Sequence, residues 1–441
     1  MPTVLPYGLG MRGSGTWEPG QKMDDVRQAL LRLYPNGSMP LTAITSMLKS
    51  SPTHDVRFSW WTKNFPMQSG PVSGVYTNAA LTTAYTAGNN PAGLLLYVKV
   101  AEVVAKEFRP GHVAELRAAD NMKVSTAGHV MDVVYNGANS YIVLRTIENT
   151  VNNNNGPNPA VGKDTIAVIG NAVPEGGVIP NAVNYNPIEM YNYVQQFWTP
   201  YEISTIAEDT KLYTNDPLTE EKREKFELHG IELEKAFLFG RRKQDIDPNT
   251  GRPIWYTMGV IPMIKEYAPN NVRDYRAETD TRFKGKEWIE AGKLWLDITL
   301  EEISRCFQNE MLVLCGSGAM VGLSQLAEAL GTISLRTGTI SYGIQVKEWI
   351  HPTCPPLLLK THPLLTNTET FRYSMIFIDT RNLQERYMRK TQTTKDVLQQ
   401  NGGPVASLSK KEGWLTVTGL EYHHPDTFAI LDGVGADNTL A

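Results

Sequence analysis

The chain has 441 residues, of which 41% are hydrophobic and 20% charged, and its formal net charge is −4. This length suffices for two or three domains, and the composition excludes a chain that is disordered throughout. Because no long basic run is present, the sequence excludes a protein that binds nucleic acid through many phosphate contacts; any contact with DNA is expected to be weak and non-specific.

The three cysteines form no CxxC pair. They indicate buried thiols made in a reducing compartment. The first residues lack the apolar core of a secretion signal, and no run of ~18 apolar residues occurs. We therefore expect no membrane partner.

Residues 1–22 are rich in glycine and proline and predict an extended arm. Short helices are predicted over 23–33 and 41–50. The phrase Gly8–Gly13 fits the dinucleotide pattern GxGxxG. That pattern needs a strand before it and a helix after it, whereas Pro6 precedes this one and no helix start follows. A flexible arm explains these glycines, and we expect no cofactor.

Between Lys63 and Lys99 the sequence contains neither a charged residue nor a histidine. This uncharged window predicts a long β-hairpin or loop that something covers, since interface cores are depleted of charge. A neighbouring subunit and another part of the same chain both remain possible covers. The pattern over 108–147 then predicts strands.

A long charged helix is predicted from Thr219 to Gly240. Thr219 is expected to cap it, glutamates follow where the helix dipole favours them, and Gly240 ends it. Its length would be roughly 30 Å. A helix of this kind suits a rigid building block, although an ordinary amphipathic helix of any mixed domain has the same pattern. The predicted apolar stripe is Phe226, Gly230, Leu233, Phe237 and Gly240, and Leu228, Ile231 and Leu238 widen it.

The C-terminal half predicts helices and then strands. Thr299 and Glu302 match a capping box, and the apolar stripe of the helix behind it is predicted to include Ile303, Phe307, Met311 and Leu314. Ser317 is expected to cap a further helix that Gly331 ends. Three strand-like segments follow, within ISYGIQVKEWI, RYSMIFIDTRNL and GWLTVTGLEYHH. Strands on both sides of helices, without regular βαβ alternation, predict an α+β fold.

Motifs that would carry chemistry are weak. Cys315–Gly318 resembles a phosphate nest but lacks the lysine of a P-loop, so two helices joined by a glycine-rich turn explain it. His351 and Cys354 have no second ligand pair, and His423 and His424 point to opposite faces of a strand. The glutamates of the long helix predict a solvated face or a subunit contact. We expect no catalytic residue, no metal site and no enzyme activity.

The order of these parts resembles the major capsid protein of tailed bacteriophages, which has the Hong Kong 97-type fold. The resemblance covers most of the chain and depends on four phrases in the right order. SSPTHDVRFSWWTKNF is similar to the start of the extended loop, and YNYVQQFWTPYEISTIAEDT to the aromatic lead-in of the long helix. IELEKAFLFGRR is similar to the end of that helix. YGIQVKEWIHPTCPPLLLKTHPLL, with FIDTRNLQERYM after it, is similar to the section that returns from the axial domain.

The resemblance implies a division of the chain. It gives an N-terminal arm over 1–56, an extended loop over 57–109 and a peripheral domain over 110–244 whose spine helix is 219–240. An axial domain follows over 245–370, and 371–441 return to the peripheral domain and the C-terminus. The extended loop is expected to lie over a neighbouring subunit. Deleting Ser69–Gly93 is therefore expected to leave a folded subunit that does not assemble.

The resemblance also implies partners and a location. Copies of the chain would form pentamers and hexamers of an icosahedral head shell around double-stranded DNA, in the virion capsid, after assembly in the host cytoplasm. A separate scaffolding protein, a portal and a cement protein are the other expected partners. Since no lysine lies within 64–98, isopeptide cross-linking from this loop is not expected. The predicted interface residues are Arg57, Tyr76, Tyr85, Asn89, Arg109, Glu220, Glu224, Phe226, Leu233 and Phe237.

Three alternatives remain open from the sequence. The first is the shell of an encapsulin-like nanocompartment. The second, from a different class, is an enzyme with a nucleotide loop at residues 8–15. The third is a secreted adhesin or a tail component, which the long charged helix does not favour.

Overall fold

The computed structural model describes most of the chain from Ser50 onward. The described residues are 50–63, 66–85, 91–118, 125–148, 164–176, 180–211, 216–307, 310–330, 335–341, 344–352, 354–394 and 409–439. The predicted arm, the GxGxxG phrase and the two short helices lie outside them. Within the described residues, no helix is long and apolar enough to cross a membrane.

Strands and helices alternate irregularly along the described residues, which confirms the predicted α+β class. The strands are β1 (Ser50–Pro52), β2 (Arg57–Thr62), β3 (Ser69–Tyr76), β4 (Leu95–Val100), β5 (His112–Arg117), β6 (Ser125–Val134), β7 (Tyr141–Thr146), β8 (Thr165–Asn171), β9 (Ile188–Tyr193), β10 (Gln195–Ser204), β11 (Lys243–Ile246), β12 (Pro253–Tyr256), β13 (Val272–Asp274), β14 (Met311–Cys315), β15 (Leu335–Ser341), β16 (Ile344–Trp349), β17 (Leu357–Thr361), β18 (Met375–Ile378), β19 (Leu383–Thr394), β20 (Ser409–Tyr422) and β21 (Ala429–Asp432). The helices are α1 (Glu102–Ala105), α2 (Thr205–Asp209), α3 (Pro217–Phe239), α4 (Val260–Tyr267), α5 (Trp288–Ser304), α6 (Ser317–Leu330) and α7 (Pro363–Thr366).

The chain divides into two compact units, and the smaller one is Trp61–Ile188. Its six strands close into a barrel in the order β3-β4-β7-β6-β5-β8. Side chains alternate along β5, where His112, Ala114 and Leu116 are buried and their neighbours are partly exposed. This period of two follows from the pleat of a strand and fills the barrel interior with apolar side chains.

The barrel changes the interpretation of the uncharged window. β3 and β4 do pair as an antiparallel hairpin, but β3 also pairs with β8 and β4 with β7. The boundary predicted at residue 110 therefore falls inside one unit. Deleting Ser69–Gly93 would remove β3 and open the barrel, so that variant is not expected to fold normally.

The larger unit contains residues up to Trp60 and from Glu189 onward. β2 and β9 form a two-stranded sheet. The chain enters Trp61–Ile188 along β2 and returns to the larger unit along β9. A four-stranded sheet has the order β1-β19-β20-β10, and β10 and β20 pair antiparallel along ten residue positions. The hairpin β11–β12 follows α3.

A seven-stranded mixed sheet has the order β13-β21-β18-β14-β17-β16-β15. All five residues of β14 are buried, which is typical of a strand covered on both faces. Leu312 and Leu314 pack in the core that includes α4, whereas Met311 and Val313 pack in the core that includes α5 and α6. Because β18 and β21 belong to this sheet, it extends past the axial boundary predicted at residue 370.

The long helix forms where it was predicted, at Pro217–Phe239 instead of Thr219–Gly240. Asp216 is the cap: its carboxylate accepts hydrogen bonds from the backbone N–H and the hydroxyl of Thr219 at 2.9 and 2.7 Å. Pro217 suits the first helical position, where its missing N–H has no partner to lose. A Cβ on Gly240 would lie 2.4 Å from the Ala236 carbonyl oxygen, so only glycine fits where the helix ends.

The capping-box prediction at Thr299 was wrong. Thr299 is buried inside α5, which begins at Trp288. Met311, placed on the helical stripe, lies in strand β14. The short apolar segment after α5 suits a buried strand as well as a helix, and the sheet decides between them. The helix predicted from Ser317 is confirmed as α6.

Candidate assembly surfaces

The inner face of α3 is held to the four-stranded sheet by a chain of hydrogen bonds centred on His229. Thr199 of β10 lies 2.9 Å from His229 Nδ1 and donates its own hydroxyl proton to Glu232 at 2.8 Å. Thr416 of β20 lies 2.7 Å from His229 Nε2, and Thr391 of β19 lies 2.9 Å from Thr416. Since the Thr199 proton is already used, His229 Nδ1–H donates to Thr199 and Nε2 accepts from Thr416.

This arrangement fits a neutral imidazole. His229 is only 1% exposed. Burial lowers the pKa of His229 from its ordinary 6.5, and the nearby Glu232 carboxylate opposes that effect more weakly. The folded subunit therefore takes up fewer protons at this position than the unfolded chain as the pH falls through 6.5.

We expect the free energy of unfolding to fall as the pH is lowered from 7.5 towards 5, because protonated His229 is favoured only in the unfolded chain. A His229→Gln variant should be less stable at pH 7.5, and its stability should depend less on pH. Its loss of unfolding free energy between pH 7.5 and 5 should be smaller than that of the wild type by about 1.4 kcal/mol for each unit by which burial lowers the pKa of His229. Urea unfolding of unassembled subunits at both pH values measures the difference. Parallel pH curves for the two proteins would contradict this role of His229.

A second buried polar contact lies one turn further along α3. Glu234 and His362 have fully buried side chains, and His362 Nε2 lies 2.7 Å from Glu234 Oε1. The Leu364 backbone N–H donates to His362 Nδ1 at 3.1 Å. Because Nδ1 accepts this bond, Nε2–H is the ring donor that faces Glu234 Oε1. The contact links the helix to the segment between β17 and α7.

Two predicted interface residues are buried inside the chain. Tyr85 is 6% exposed and packs in the barrel core, and Phe237 is 2% exposed and packs in the core of the larger unit. Both positions satisfied an apolar pattern that does not distinguish a core face from an interface. The structure therefore corrects these two assignments: neither side chain is available to a neighbour.

Two predicted arginines have partners within their own unit. Arg57 forms an ion pair with Glu189 at 3.5 Å and lies 4.3 Å from the Tyr191 ring centroid. Arg109 donates to His112 Nε2 at 2.9 Å and to the Asn181 carbonyl at 2.8 Å. These contacts order the ends of the strands, so neither guanidinium is a free binding group.

The remaining predicted residues are at least partly exposed, except Asn89, which lies outside the described residues. Phe226 is 50% exposed and packs against the Trp414 ring at 4.8 Å. Glu224 is exposed, and Tyr76, Glu220 and Leu233 are partly buried. These positions stay candidates for contacts between copies.

The glycine-rich phrase after β14 is not arranged as a phosphate site. A Cβ on Gly316 would lie 2.2 Å from the Arg372 carbonyl oxygen, so the glycine serves close backbone packing. The Gly316 N–H donates to Ser374 O and the Ala319 N–H donates to Arg372 O. These amides, which a phosphate would need, are already used. A strand, and not the predicted helix, precedes the phrase.

The histidines considered as zinc ligands have structural partners. His351 Nε2 lies 3.0 Å from Asp297 Oδ1, and His423 Nε2 lies 2.6 Å from Glu421 Oε1. Across the described ranges, no group of three or more histidine, cysteine, aspartate or glutamate side chains is placed to hold a metal ion.

A family model described as "SU10 major capsid protein" matches residues 13–435. The chain belongs to this family. A major capsid protein of Pseudomonas phage PaMx41 is 22% identical over 385 residues, covering 86% of this chain and 82% of that protein. The predicted function, a phage major capsid protein, is confirmed by the family match, and the family has a structural role.

Solved structures also resemble the chain, at low sequence identity. The Microbacterium phage Oxtober96 structure is 10% identical, and the match covers 94% of this chain and 96% of the phage chain, with a TM-score of 0.41. The capsid of a native GTA particle is 7% identical, and the match covers 96% of this chain and 99% of the GTA chain, with a TM-score of 0.42. The SrpI encapsulin from Synechococcus elongatus PCC 7942 is 15% identical, and the match covers 58% of this chain and 77% of the encapsulin chain, with a TM-score of 0.38.

Proposed function

We propose that copies of this chain assemble, in the Hong Kong 97-type arrangement, into pentamers and hexamers that close into an icosahedral phage head around double-stranded DNA. The observation that carries the proposal is the match of one capsid family model across almost the whole chain, including the barrel, α3 and the seven-stranded sheet. The role is structural, without catalysis, and the location is the virion capsid after assembly in the host cytoplasm.

In this proposal α3 is the spine of the peripheral domain and the seven-stranded sheet builds the axial domain. The buried polar contacts of His229 and Glu234 support the spine role, because they fix the helix to the four-stranded sheet and to the segment before α7 without using its exposed face. Contacts between copies are then left to exposed groups such as Phe226 and Glu224. Scaffolding, portal and cement proteins are the proposed further partners, and contact with DNA is proposed to be weak.

The uncharged window is proposed to lie against a neighbouring copy at the loop between β3 and β4. Ala79, Ala80, Thr82 and Thr83 are exposed in this loop. An exposed loop without charge can enter an interface without the cost of desolvating an ion. The proposed contact region is thus the end of the β3–β4 hairpin and not the whole of 57–109.

Electron microscopy of the purified wild-type protein should show closed shells. An Ala80→Glu variant should give at least about tenfold fewer shells, because each buried charge would cost more than 1.4 kcal/mol at every repeated contact. Its melting temperature as an unassembled subunit should be unchanged, since Ala80 is exposed.

The matched control is Ala138→Glu, which places the same charge at an exposed position elsewhere in the same unit. This control should assemble normally. Normal shells from Ala80→Glu would remove the loop from the interface. A wild-type protein that remains monomeric in every assembly condition would contradict the shell function itself.

A further inference from the structure

The four-stranded sheet has one face covered by α3, and the described residues leave only part of its second face open. Burial alternates along β10, where Phe197 and Thr199 are buried under the helix side and Gln196 and Trp198 are exposed on the other side. Trp198 is 59% exposed, although its indole N–H is used by Thr394 at 3.2 Å. The open face therefore presents a fixed aromatic ring.

The hairpin β11–β12 borders this face and turns it into a groove of about 840 Å³. We call it the aromatic groove. Trp198, Trp255, Tyr256 and Met388 line it, and among the described residues Arg389 is the one charged side chain of the lining. Trp255 is fixed by packing against the Tyr193 ring at 4.9 Å. The groove is thus apolar, aromatic and almost uncharged.

Gln195 and Gln196 add polar groups to the same lining. Grooves that combine aromatic rings with a few hydrogen-bonding side chains suit extended segments that contain proline, which lose little conformational freedom on binding. A charged segment would instead lose hydration there without gaining an ionic partner, apart from a carboxylate near Arg389.

The first eleven residues, MPTVLPYGLGM, have this chemistry. They contain no charged side chain, include Pro2 and Pro6, and carry Val4, Leu5 and Tyr7 close together. We propose that residues 1–11 bind in the aromatic groove. The asparagine-rich segment 149–162, which also lacks acidic residues, offers few apolar side chains and fits the groove less well.

Connectivity agrees with this occupant. Ser50 begins β1, which pairs with β19 at the edge of the same sheet, and Val56 lines the groove. Residues 12–49 can span at most roughly 125 Å at about 3.3 Å per residue. They can therefore reach the groove of their own chain or that of an adjacent copy. The inference deepens the proposed shell role, on which it rests for the presence of an adjacent copy.

The test places a photo-crosslinking benzoylphenylalanine at Tyr7 of the full-length chain and maps the cross-links by mass spectrometry. We expect cross-links to Gln195–Trp198 and to Pro253–Tyr256. Mixing isotope-labelled and unlabelled chains distinguishes binding within one chain from binding between copies, and either result supports the proposal. Cross-links that map elsewhere would overturn it.

Groove variants sharpen the test. Trp198→Ala should reduce the cross-link yield about tenfold, as loss of an aromatic anchor does at binding sites. Tyr256→Ala serves as a second variant if the first folds poorly. Trp61→Ala is the matched control, because Trp61 is 65% exposed and does not line the groove. An unchanged yield in a folded Trp198→Ala or Tyr256→Ala variant would overturn the proposal.

Electron microscopy of the same samples tests the shell function separately from the binding of residues 1–11 in the aromatic groove. Groove cross-links without shells would support residues 1–11 as the occupant while contradicting the shell function. Shells whose Tyr7 cross-links lie outside the groove would support the shell function and contradict residues 1–11 as the occupant of the groove.

Discussion

Replacing His362 with alanine is expected to lower the free energy of unfolding of the subunit by about 3–5 kcal/mol, because the fully buried Glu234 side chain would lose the donor that His362 provides. Both side chains are completely buried, and the contact joins α3 to a segment 128 residues further along the chain. Guanidinium unfolding of unassembled subunits, followed by circular dichroism, measures the loss.

Two comparisons separate this contact from a general effect of mutation. Glu234→Gln keeps an oxygen that can accept from His362 Nε2–H, so it should cost less than His362→Ala. His54→Ala removes an exposed histidine and should change the free energy of unfolding by less than about 0.5 kcal/mol. If His362→Ala is as mild as His54→Ala, the buried contact does not stabilise the spine helix.

The second large effect is expected at Trp288, at the start of α5. Its side chain is 1% exposed, its indole N–H donates to the Gly322 carbonyl at 3.1 Å, and its ring lies 5.0 Å from the Tyr275 ring. Trp288→Ala should lower the free energy of unfolding by about 3–5 kcal/mol, through the cavity it leaves and the loss of that hydrogen bond.

The neighbouring residue supplies the control. Ile289 is 51% exposed, so Ile289→Ala should cost less than about 1 kcal/mol in the same guanidinium unfolding experiment. A Trp288→Ala protein as stable as Ile289→Ala would mean that the aromatic cluster does not hold α5 against the seven-stranded sheet.

The long helix could be predicted because its signals are local. Pro217 and Gly240 mark its ends within one turn, whatever the rest of the chain does. Its buried face could not be predicted in the same way. The predicted stripe included Phe226 and Leu233, which the structure leaves at least partly exposed. The structure buries His229 and Glu234 beside the predicted Phe237 and Leu238.

That difference has a physical reason. A histidine or glutamate becomes a buried residue only when distant partners satisfy it, and Thr416 and His362 are 187 and 128 residues away. On the sequence, Glu234 resembles the other glutamates of the helix. The function was recognised from the order of whole segments, which does not require these pairings to be known.

The barrel was missed for a related reason. The strands around the uncharged window were identified, but barrel closure depends on β3 pairing with β8, about a hundred residues later, across an asparagine-rich segment. The local alternation of apolar and polar residues shows which face of a strand is buried, but it does not show which strands pair with it. The aromatic groove was equally hidden, since its lining comes from five separate stretches of the chain.

The pairing of β2 with β9 has a consequence for engineering. Paired strands lie about 5 Å apart, so the polypeptide leaves the larger unit and re-enters it at adjacent points. Insertions are tolerated where the two ends of a module lie close together. Trp61–Ile188 therefore has the termini of a genetic cassette, and a foreign module with neighbouring termini could take its place in the unassembled subunit, at the loss of the loop contact proposed for Ala80.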